Sequence, residues 1–299
     1  EICSRDWSSD VCSSDLLREQ QEYMRALLRV LASQMDGDRE NLQGGQRLLD
    51  WPTSQMPDVI HAGYQALMVM AMEAGAEIGG WLGDRQMQSE CHGALRRLRR
   101  HVPDHLRNKQ AAAMLVLAGL ADPGKVCRTV IARGGAEGFS TFYGYYMLEA
   151  LAEGGLYDEA LQIISDYWGA MLDLGATTFW EDLNYAHAAG AARIDEPVPA
   201  GKFDIHAESG AYCYKGLRHS LCHGWASGPT PWLSRHVLGI VPLEPGCKSV
   251  AVRPHLGHLK WAEGTFPTPW GVIRVRHERG ADGKVSTSVS APDGVGVVR

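Results

Sequence analysis

The hydrophobic residues of this chain change their spacing at Gly239, and that change constrains the fold more than any other feature. Before Gly239, apolar residues recur at the three- and four-residue spacing of amphipathic helices, first from Leu17 to Leu31. After Gly239, apolar and polar residues alternate in short segments separated by Gly, Pro and Asp-Gly breaks, which is typical of strands. The sequence therefore predicts helices first and a small β domain second.

Start and stop signals divide the region before Gly239 into helical hairpins joined by short links. The helices are predicted at Leu17 to Gly37, Asp58 to about Gly80, Asp84 to His101, about His105 to Leu120, Asp122 onwards, Thr141 to Leu151, Tyr157 to Leu174, and His223 or Pro229 to Leu238. No strand signal occurs before Glu181, and residues 182–217 are predicted to form an irregular loop.

The β domain is predicted to be a small antiparallel sandwich. Its expected strands cover residues 250–252, 259–264, 271–276 and 285–289. Residues 1–16 carry a near-repeat, Trp-Ser-Ser-Asp and Cys-Ser-Ser-Asp, without a usable period, and we interpret them as a non-native artefact. The expected domains are therefore 17–239, helical, and 240–299, a β-sandwich. On this interpretation the natural N-terminus is missing, and a truncated C-terminus is also open.

Composition and charge exclude several classes of protein. A formal net charge of -6 without a sustained basic tract argues against a nucleic-acid binder. No apolar run approaches the roughly 18 residues that a membrane span needs. Nine Trp and 34 Gly fit a carbohydrate site built from aromatic platforms and tight loops. Neither a cofactor nor a bound metal is indicated.

The seven cysteines show neither paired nor metal-like spacing. They predict buried free thiols at Cys91, Cys127, Cys213, Cys222 and Cys247. Free thiols favour a reducing, cytoplasmic compartment. A periplasmic or secreted location stays open, because any signal would lie in the N-terminal part that we expect to be missing.

The segment from Gly175 to Asp182, Gly-Ala-Thr-Thr-Phe-Trp-Glu-Asp, is the first candidate for chemistry. Glu181 follows Phe179 and Trp180, so we expect its carboxyl group beside an apolar aromatic wall. Such a wall disfavours an ionised carboxyl group by desolvation, and a flat indole such as that of Trp180 can stack on a sugar ring. The alternative is a helix C-terminus with a core Trp and a solvated Glu.

The loop Asp50-Trp51-Pro52 is the second candidate. Pro52 blocks continuation of a helix, so the side chains of Asp50 and Trp51 can point into a cleft. For Asp50 an ordinary cap or turn is the alternative interpretation.

Four motifs in this order resemble the bacterial α-L-rhamnosidases of glycoside hydrolase family 78. They follow the helical hairpins and cover Gly175 to Glu181, Ser220 to Leu233, Pro245 to Lys248, and Pro267 to Gly271. The likeness extends from about Leu17 to the end of the chain. It implies a partial (α/α)6 barrel of helical hairpins followed by an antiparallel β-sandwich, and it implies inverting hydrolysis of terminal α-L-rhamnosides.

The resemblance also implies roles for individual residues. Glu181 matches the general base, the carboxylate that activates a water molecule while a second carboxyl group protonates the leaving oxygen. His223 matches a contact to sugar hydroxyls, and Asp50 and Trp51 match sugar contacts at the barrel mouth. Trp225, in the same stretch as His223, is a further expected sugar contact.

Three departures from the family pattern limit these expectations. The family's general acid lies in an Arg-Asp-Arg-like, Trp-rich loop upstream of the Asp-Trp pair, and nothing in residues 17–46 matches it. About eight barrel helices are countable where twelve are expected, so we expect an inactive or nearly inactive fragment. In addition, Cys222 stands where the family often has Asn, which leaves the polarity of the pocket open.

Two other functions stay open. One is a different six-hairpin glycosidase, or a polysaccharide lyase on the same barrel. A lyase favours a Tyr or His base and basic residues that neutralise a uronate, whereas the candidates here are a carboxylate and Trp. The other is a non-catalytic carbohydrate-binding module in which Glu181 only accepts hydrogen bonds. The partner is a carbohydrate in each case, and neither the glycoside nor the oligomeric state is indicated.

Overall fold

The computed structural model describes residues 16–43, 47–205, 207 and 219–299. The chain forms two compact units, which we call the helical unit and the mixed unit. The helical unit comprises the described residues within 31–73 and 93–229, and the mixed unit comprises those within 16–30, 74–92 and 230–299. The predicted artefact, except Leu16, and the predicted thiol Cys213 lie outside the described residues. The predicted domain boundary at Gly239 stays a prediction.

Helices dominate the chain before Gly239, as predicted. They are α1 (Gln21–Ser33), α2 (Pro57–Leu82), α3 (Arg85–Leu98), α4 (Lys109–Leu117), α5 (Pro123–Val126), α6 (Gly144–Glu153), α7 (Tyr157–Asp173), α8 (Tyr185–Ala188) and α9 (Pro229–Trp232). α5 and α9 continue as π-helical turns, Cys127–Ile131 and Leu233–Val237, and short 3-10 helices cover Trp51–Thr53, Gly224–Ser227 and Pro245–Cys247.

The helix α4 begins about one turn later than its predicted start near His105. Leu106 and Arg107 have left-handed backbone angles, φ 51° and 57°, which an α-helix cannot contain. The ring Nδ1 of His105 accepts a hydrogen bond from the backbone N–H of Arg107 at 2.9 Å and holds this turn. Asn108 then caps α4, a position that Asn favours.

The core of the helical unit is built around α4. Residues 111–116, Ala-Ala-Ala-Met-Leu-Val, are all buried, so α4 is covered on every face. The three alanines let neighbouring helices approach closely. α6 packs against both α4 and α7, and the largest buried side chains around them include Phe139, Met147 and Tyr167.

A short hairpin precedes α2, so the prediction that no strand occurs before Glu181 is wrong. β1 (Met35–Asp36) and β2 (Arg39–Glu40) pair antiparallel around a turn in which Gly37 has φ 58°. Two-residue strands are too short to show the alternation by which strands are recognised in a sequence. The Asp-Gly-Asp turn was the available signal.

The hairpin is anchored by the buried carboxylate of Glu40, which is 4% exposed. Glu40 accepts hydrogen bonds from Arg47 and from Nδ1 of His61 at 2.6 Å, and its backbone N–H donates to Gln65 at 2.7 Å. The other ring nitrogen of His61 lies 2.9 Å from Nε2 of His101, whose pKa is lowered by burial. A buried charge is tolerated here because it is paired and hydrogen-bonded.

Six strands follow Gly239, in two three-stranded sheets. They are β3 (Ile240–Pro242), β4 (Ser249–Val252), β5 (Trp261–Thr268), β6 (Gly271–Arg279), β7 (Val285–Ser290) and β8 (Gly296–Val298). The strand orders are β3-β4-β8 and β5-β6-β7, and their shared apolar cluster is Ile240, Val250, Val252, Ile273 and Val275. The pairings are antiparallel as predicted, except that β4 and β8 run parallel. β3 and β8 were missed because three residues show no clear alternation.

Two of the predicted buried thiols, Cys91 and Cys127, are buried, and Cys247 is partly exposed. Cys222 is exposed, so its prediction is wrong, because it lies in the irregular segment that precedes a 3-10 helix rather than on a core face. In the part of the chain that the structure describes, no helix has both the length and the apolar character needed to cross a membrane.

Gly239 makes a first test of the fold. It has φ 70°, and an added Cβ would lie 2.2 Å from the backbone carbonyl of Arg253. We expect Gly239→Ala to lower the free energy of unfolding by more than about 2 kcal/mol, since a left-handed alanine alone costs roughly 1–2 kcal/mol. Gly283→Ala is the matched control, because Gly283 has φ 80° but open space around its Cβ position. Urea unfolding measures both, and equal losses would contradict the close approach at Gly239.

Candidate functional site

The two central sequence motifs lie side by side in the helical unit. The backbone N–H of Glu181 donates to the carbonyl of Ser220 at 2.9 Å, and that of His223 donates to the carbonyl of Phe179 at 2.8 Å. The backbone N–H of Ser220 donates in turn to Oε2 of Glu181 at 3.0 Å. Residues about forty positions apart are thus held in one hydrogen-bonded pair of segments.

The Glu181 side chain is buried, at 7% exposure of the residue, so the alternative of a solvated glutamate is wrong. Its backbone carbonyl accepts hydrogen bonds from the Thr141 hydroxyl and the Trp225 indole N–H. Nδ1 of His223 lies 4.0 Å from Oε2. Within the described ranges no group hydrogen-bonds Oε1, so this oxygen can accept a proton or a hydrogen bond from a bound molecule.

Trp180 is completely buried, and this corrects the expectation that it stacks on a sugar. Its relative exposure is 0%, and its ring meets His219 edge-on, with centroids 6.3 Å apart and planes at 77°. An indole inside the core presents no open face to a ligand. The core alternative therefore holds for Trp180, whereas the neighbouring Phe179 is partly exposed.

An aromatic platform lies next to the carboxylate, and Trp225 is at its centre. The Trp225 ring stacks on Phe142, with centroids 5.2 Å apart and planes at 21°, and lies 4.1 Å from the His223 ring. Phe142 is 38% exposed. The sequence interpretation missed Phe142, and the available signal was the run of aromatic residues in the link before α6.

Asp50 is buried and forms the cap that was one of its two interpretations, while its contact with a sugar stays a prediction. It caps the 3-10 helix Trp51–Thr53 by accepting from the Trp51 backbone N–H at 2.9 Å. Its Oδ2 also accepts hydrogen bonds from the Ser140 hydroxyl at 2.5 Å and from Gln110 at 3.4 Å. Burial raises the pKa of Asp50, and these hydrogen bonds oppose that rise. Trp51 itself is partly exposed.

The link before α6 joins Asp50 to Glu181. Ser140 donates to the Asp50 carboxylate, and the next residue, Thr141, donates to the Glu181 carbonyl. Both hydroxyl-bearing residues are buried. The Asp50 and Glu181 loops are therefore both held by the same two consecutive residues of this link. Sequence reasoning missed Ser140 and Thr141, since Ser and Thr are ordinary in links.

A mainly apolar cavity of about 450 Å³ opens beside this cluster, and Phe179, His223 and Cys222 are among the residues that line it. At position 222 a cysteine, not the asparagine often found in the family, therefore lines this space. Over the described ranges, no three His, Cys, Asp or Glu side chains are placed to hold a metal ion.

The described helices pack as hairpins around a buried carboxylate among aromatic and polar loop residues, and the strands of a β domain follow them. Residues 239–298 match the family model for the bacterial alpha-L-rhamnosidase C-terminal domain. A comparison with curated proteins gives no match.

Several solved structures share the fold. A GH78 family rhamnosidase of Bacillus sp. GL1 is 20% identical, with a TM-score of 0.72 over 97% of this chain and 31% of that chain. A Streptomyces avermitilis α-L-rhamnosidase complexed with L-rhamnose is 19% identical, with a TM-score of 0.73 over 95% of this chain and 27% of that chain. An Aspergillus terreus α-L-rhamnosidase is 15% identical, with a TM-score of 0.71 over 94% and 34%.

This chain therefore spans about a third of the length of the solved structures that it matches. The comparisons confirm the resemblance to family 78 rhamnosidases and the expected fold, a helical barrel portion followed by a β domain.

Asp50 makes a second test, through pH. Since the pKa of Asp50 is raised above its ordinary value of 3.8, the folded state holds this proton more tightly than the unfolded state. The unfolding free energy should therefore fall as pH rises from about 4 through the folded pKa. Asp50→Asn cannot lose this proton, so its unfolding free energy should lack this fall. Relative to the wild type, the unfolding free energy of the variant should therefore be higher at pH 7 than at pH 4. Urea unfolding at both pH values measures it, and a pH-independent difference would contradict the raised pKa.

Proposed function

We propose that this chain carries the general base and part of the sugar pocket of an inverting glycoside hydrolase that releases terminal α-L-rhamnose. The observation that supports the base most directly is the environment of Glu181. One carboxylate oxygen is fixed by the Ser220 N–H, and the other has no hydrogen-bond partner among the described residues. Solved structures with the same fold are α-L-rhamnosidases, one of them complexed with L-rhamnose.

In the proposed reaction, Oε1 of Glu181 takes a proton from a water molecule as the water oxygen bonds to the anomeric carbon. The glycosidic bond breaks on the opposite face, and a second carboxyl group gives its proton to the leaving oxygen. The Ser220 N–H holds Oε2 and fixes the direction in which Oε1 points. The base is therefore oriented before the substrate binds, which lowers the cost of reaching the transition state.

The neighbouring side chains fit the two faces of a sugar. Nδ1 of His223, 4.0 Å from Oε2, can bond a sugar hydroxyl. The Trp225 and Phe142 rings offer an apolar surface to the C–H groups of a pyranose. We propose that Asp50 positions the neighbouring loops, because its Oδ2 already accepts hydrogen bonds from Ser140 and Gln110. Trp51 is partly exposed at the same loop and stays a proposed sugar contact.

We propose that the general acid is supplied by a segment that this chain does not contain, since residues 17–46 lack the expected acid motif. The geometry gives less support to a lyase with a tyrosine base. Tyr143, a buried tyrosine two positions after Thr141, has its pKa raised well above the ordinary value by burial, so it is poorly suited to lose a proton.

The test uses α-L-rhamnosyl fluoride, because fluoride leaves without a proton from an acid and the reaction therefore depends on the base. We expect the chain to release β-L-rhamnose, the inverted anomer, and Glu181→Gln to lose about a hundredfold or more in rate, as for removal of a general base. Glu159→Gln, at an exposed position on α7, is the matched control and should keep the wild-type rate. Nuclear magnetic resonance follows the anomer, and fluoride release follows the rate.

Three results would count against the proposal. Full activity in Glu181→Gln would remove this residue from the mechanism. Release of the α anomer would replace inversion by retention. Binding of L-rhamnose without any fluoride release would favour a non-catalytic carbohydrate-binding module.

A further inference from the structure

A second cavity, of about 460 Å³, lies in the helical unit. It is bounded by the start of α4, the π-helical turn Cys127–Ile131 and the loop that follows this turn. Its charged lining consists of three cations, Arg107, Lys109 and Arg133, and one carboxylate, Glu137. The chain as a whole is acidic, with a net charge of -6. A basic concavity on an acidic protein attracts anions selectively, because the surrounding negative charge keeps them from other surfaces.

Lys109 is the innermost of these cations. Its Nζ donates to the carbonyl of Gly135 at 2.7 Å and lies 5.1 Å from the centre of the Phe139 ring. Burial lowers the pKa of Lys109 to about 8, and the charge of Glu137 opposes this shift. The ammonium group has therefore lost much of its hydration. An anion in the cavity would stabilise its positive charge in place of the lost water.

The two arginines are available to a ligand. Across the described ranges no carboxylate forms an ion pair with Arg107 or Arg133, and both are exposed. Arg107 has a left-handed backbone, φ 57°, which is held by the hydrogen bond to His105. This backbone conformation fixes the direction of the Arg107 Cα–Cβ bond. A guanidinium group binds a carboxylate through two parallel hydrogen bonds, which suits such a ligand.

The cavity and the proposed base contact the same link before α6. Gly138 lines the cavity, Ser140 donates to Asp50, and Thr141 donates to the carbonyl of Glu181. Gly138 lies three positions before Thr141, so their Cα atoms are at most about 11 Å apart. The cavity and the Glu181 loop are therefore joined by a segment of four residues. Gln110 also links the two places, through Gly138 and Asp50.

We propose that this basic cavity binds the carboxylate of a uronic acid residue to which the rhamnose is attached. The proposal rests on the proposed function, and it names the class of substrate: a rhamnosyl uronate rather than a neutral rhamnoside. The Glu137 carboxylate in the lining repels a second negative charge. A singly charged carboxylate therefore fits better than a doubly charged phosphate or sulfate.

The experiment compares α-L-rhamnosyl-glucuronate with its methyl ester, which has nearly the same shape and no charge. Calorimetry of the full chain at low salt should show the acid binding about tenfold or more tightly than the ester, and salt should reduce the difference. Arg107→Gln and Arg133→Gln should each weaken the preference for the acid. Arg128→Gln is the matched control, because Arg128 is exposed on the neighbouring turn and does not line the cavity.

The outcomes separate this proposal from the proposed function. Equal affinity for acid and ester, in a wild-type chain that hydrolyses rhamnosyl fluoride, would overturn the uronate site alone. A preference for the acid without fluoride hydrolysis would overturn the reaction and support the site. Inorganic phosphate that binds as tightly as the disaccharide acid would make the cavity a site for free anions and overturn the proposal. An unsaturated uronate product would replace hydrolysis by a lyase reaction, and would still support recognition of a uronate.

Discussion

The candidate site depends on the pairing of the Phe179–Glu181 segment with the Ser220–His223 segment. Two backbone hydrogen bonds set their register, and the Ser220 N–H also holds the Glu181 carboxylate. A carboxylate at 7% exposure is costly to bury unless it is hydrogen-bonded. The pairing supplies that bond to one oxygen only. The same interaction therefore stabilises the buried group and leaves its other oxygen accessible to chemistry.

The link before α6 extends this arrangement in two directions. Ser140 and Thr141 fix the loops of Asp50 and Glu181, while Gly138, a few residues earlier, lines the basic cavity. A single stretch of irregular backbone thus connects the proposed base, the buried Asp50 and the proposed uronate site. Its position is secured by α4, whose buried alanines and caps leave the helix little freedom to shift.

The sequence predicted much of the helical region because its apolar residues repeat with a helical period over many turns. The predictions failed where the signal was short or local. The hairpin of β1 and β2 and the strands β3 and β8 contain two or three residues each, too few for a period. The start of α4 was placed too early because the left-handed angles of Leu106 and Arg107 have no sequence signature. Cys222 was expected inside and is exposed, because irregular segments have no period to assign a face.

The sequence by itself determined which residue types the site contains: a glutamate among aromatics, an Asp-Trp loop, and a His-Gly-Trp stretch. Only the tertiary structure decided which of them face a ligand. Trp180 and Glu181 are adjacent in the chain, yet the indole lies fully in the core and the carboxylate reaches the loop cluster. The physical reason is that solvent access depends on contacts between distant segments, here Ser220 to His223 and the link before α6, and these distances are absent from any local pattern.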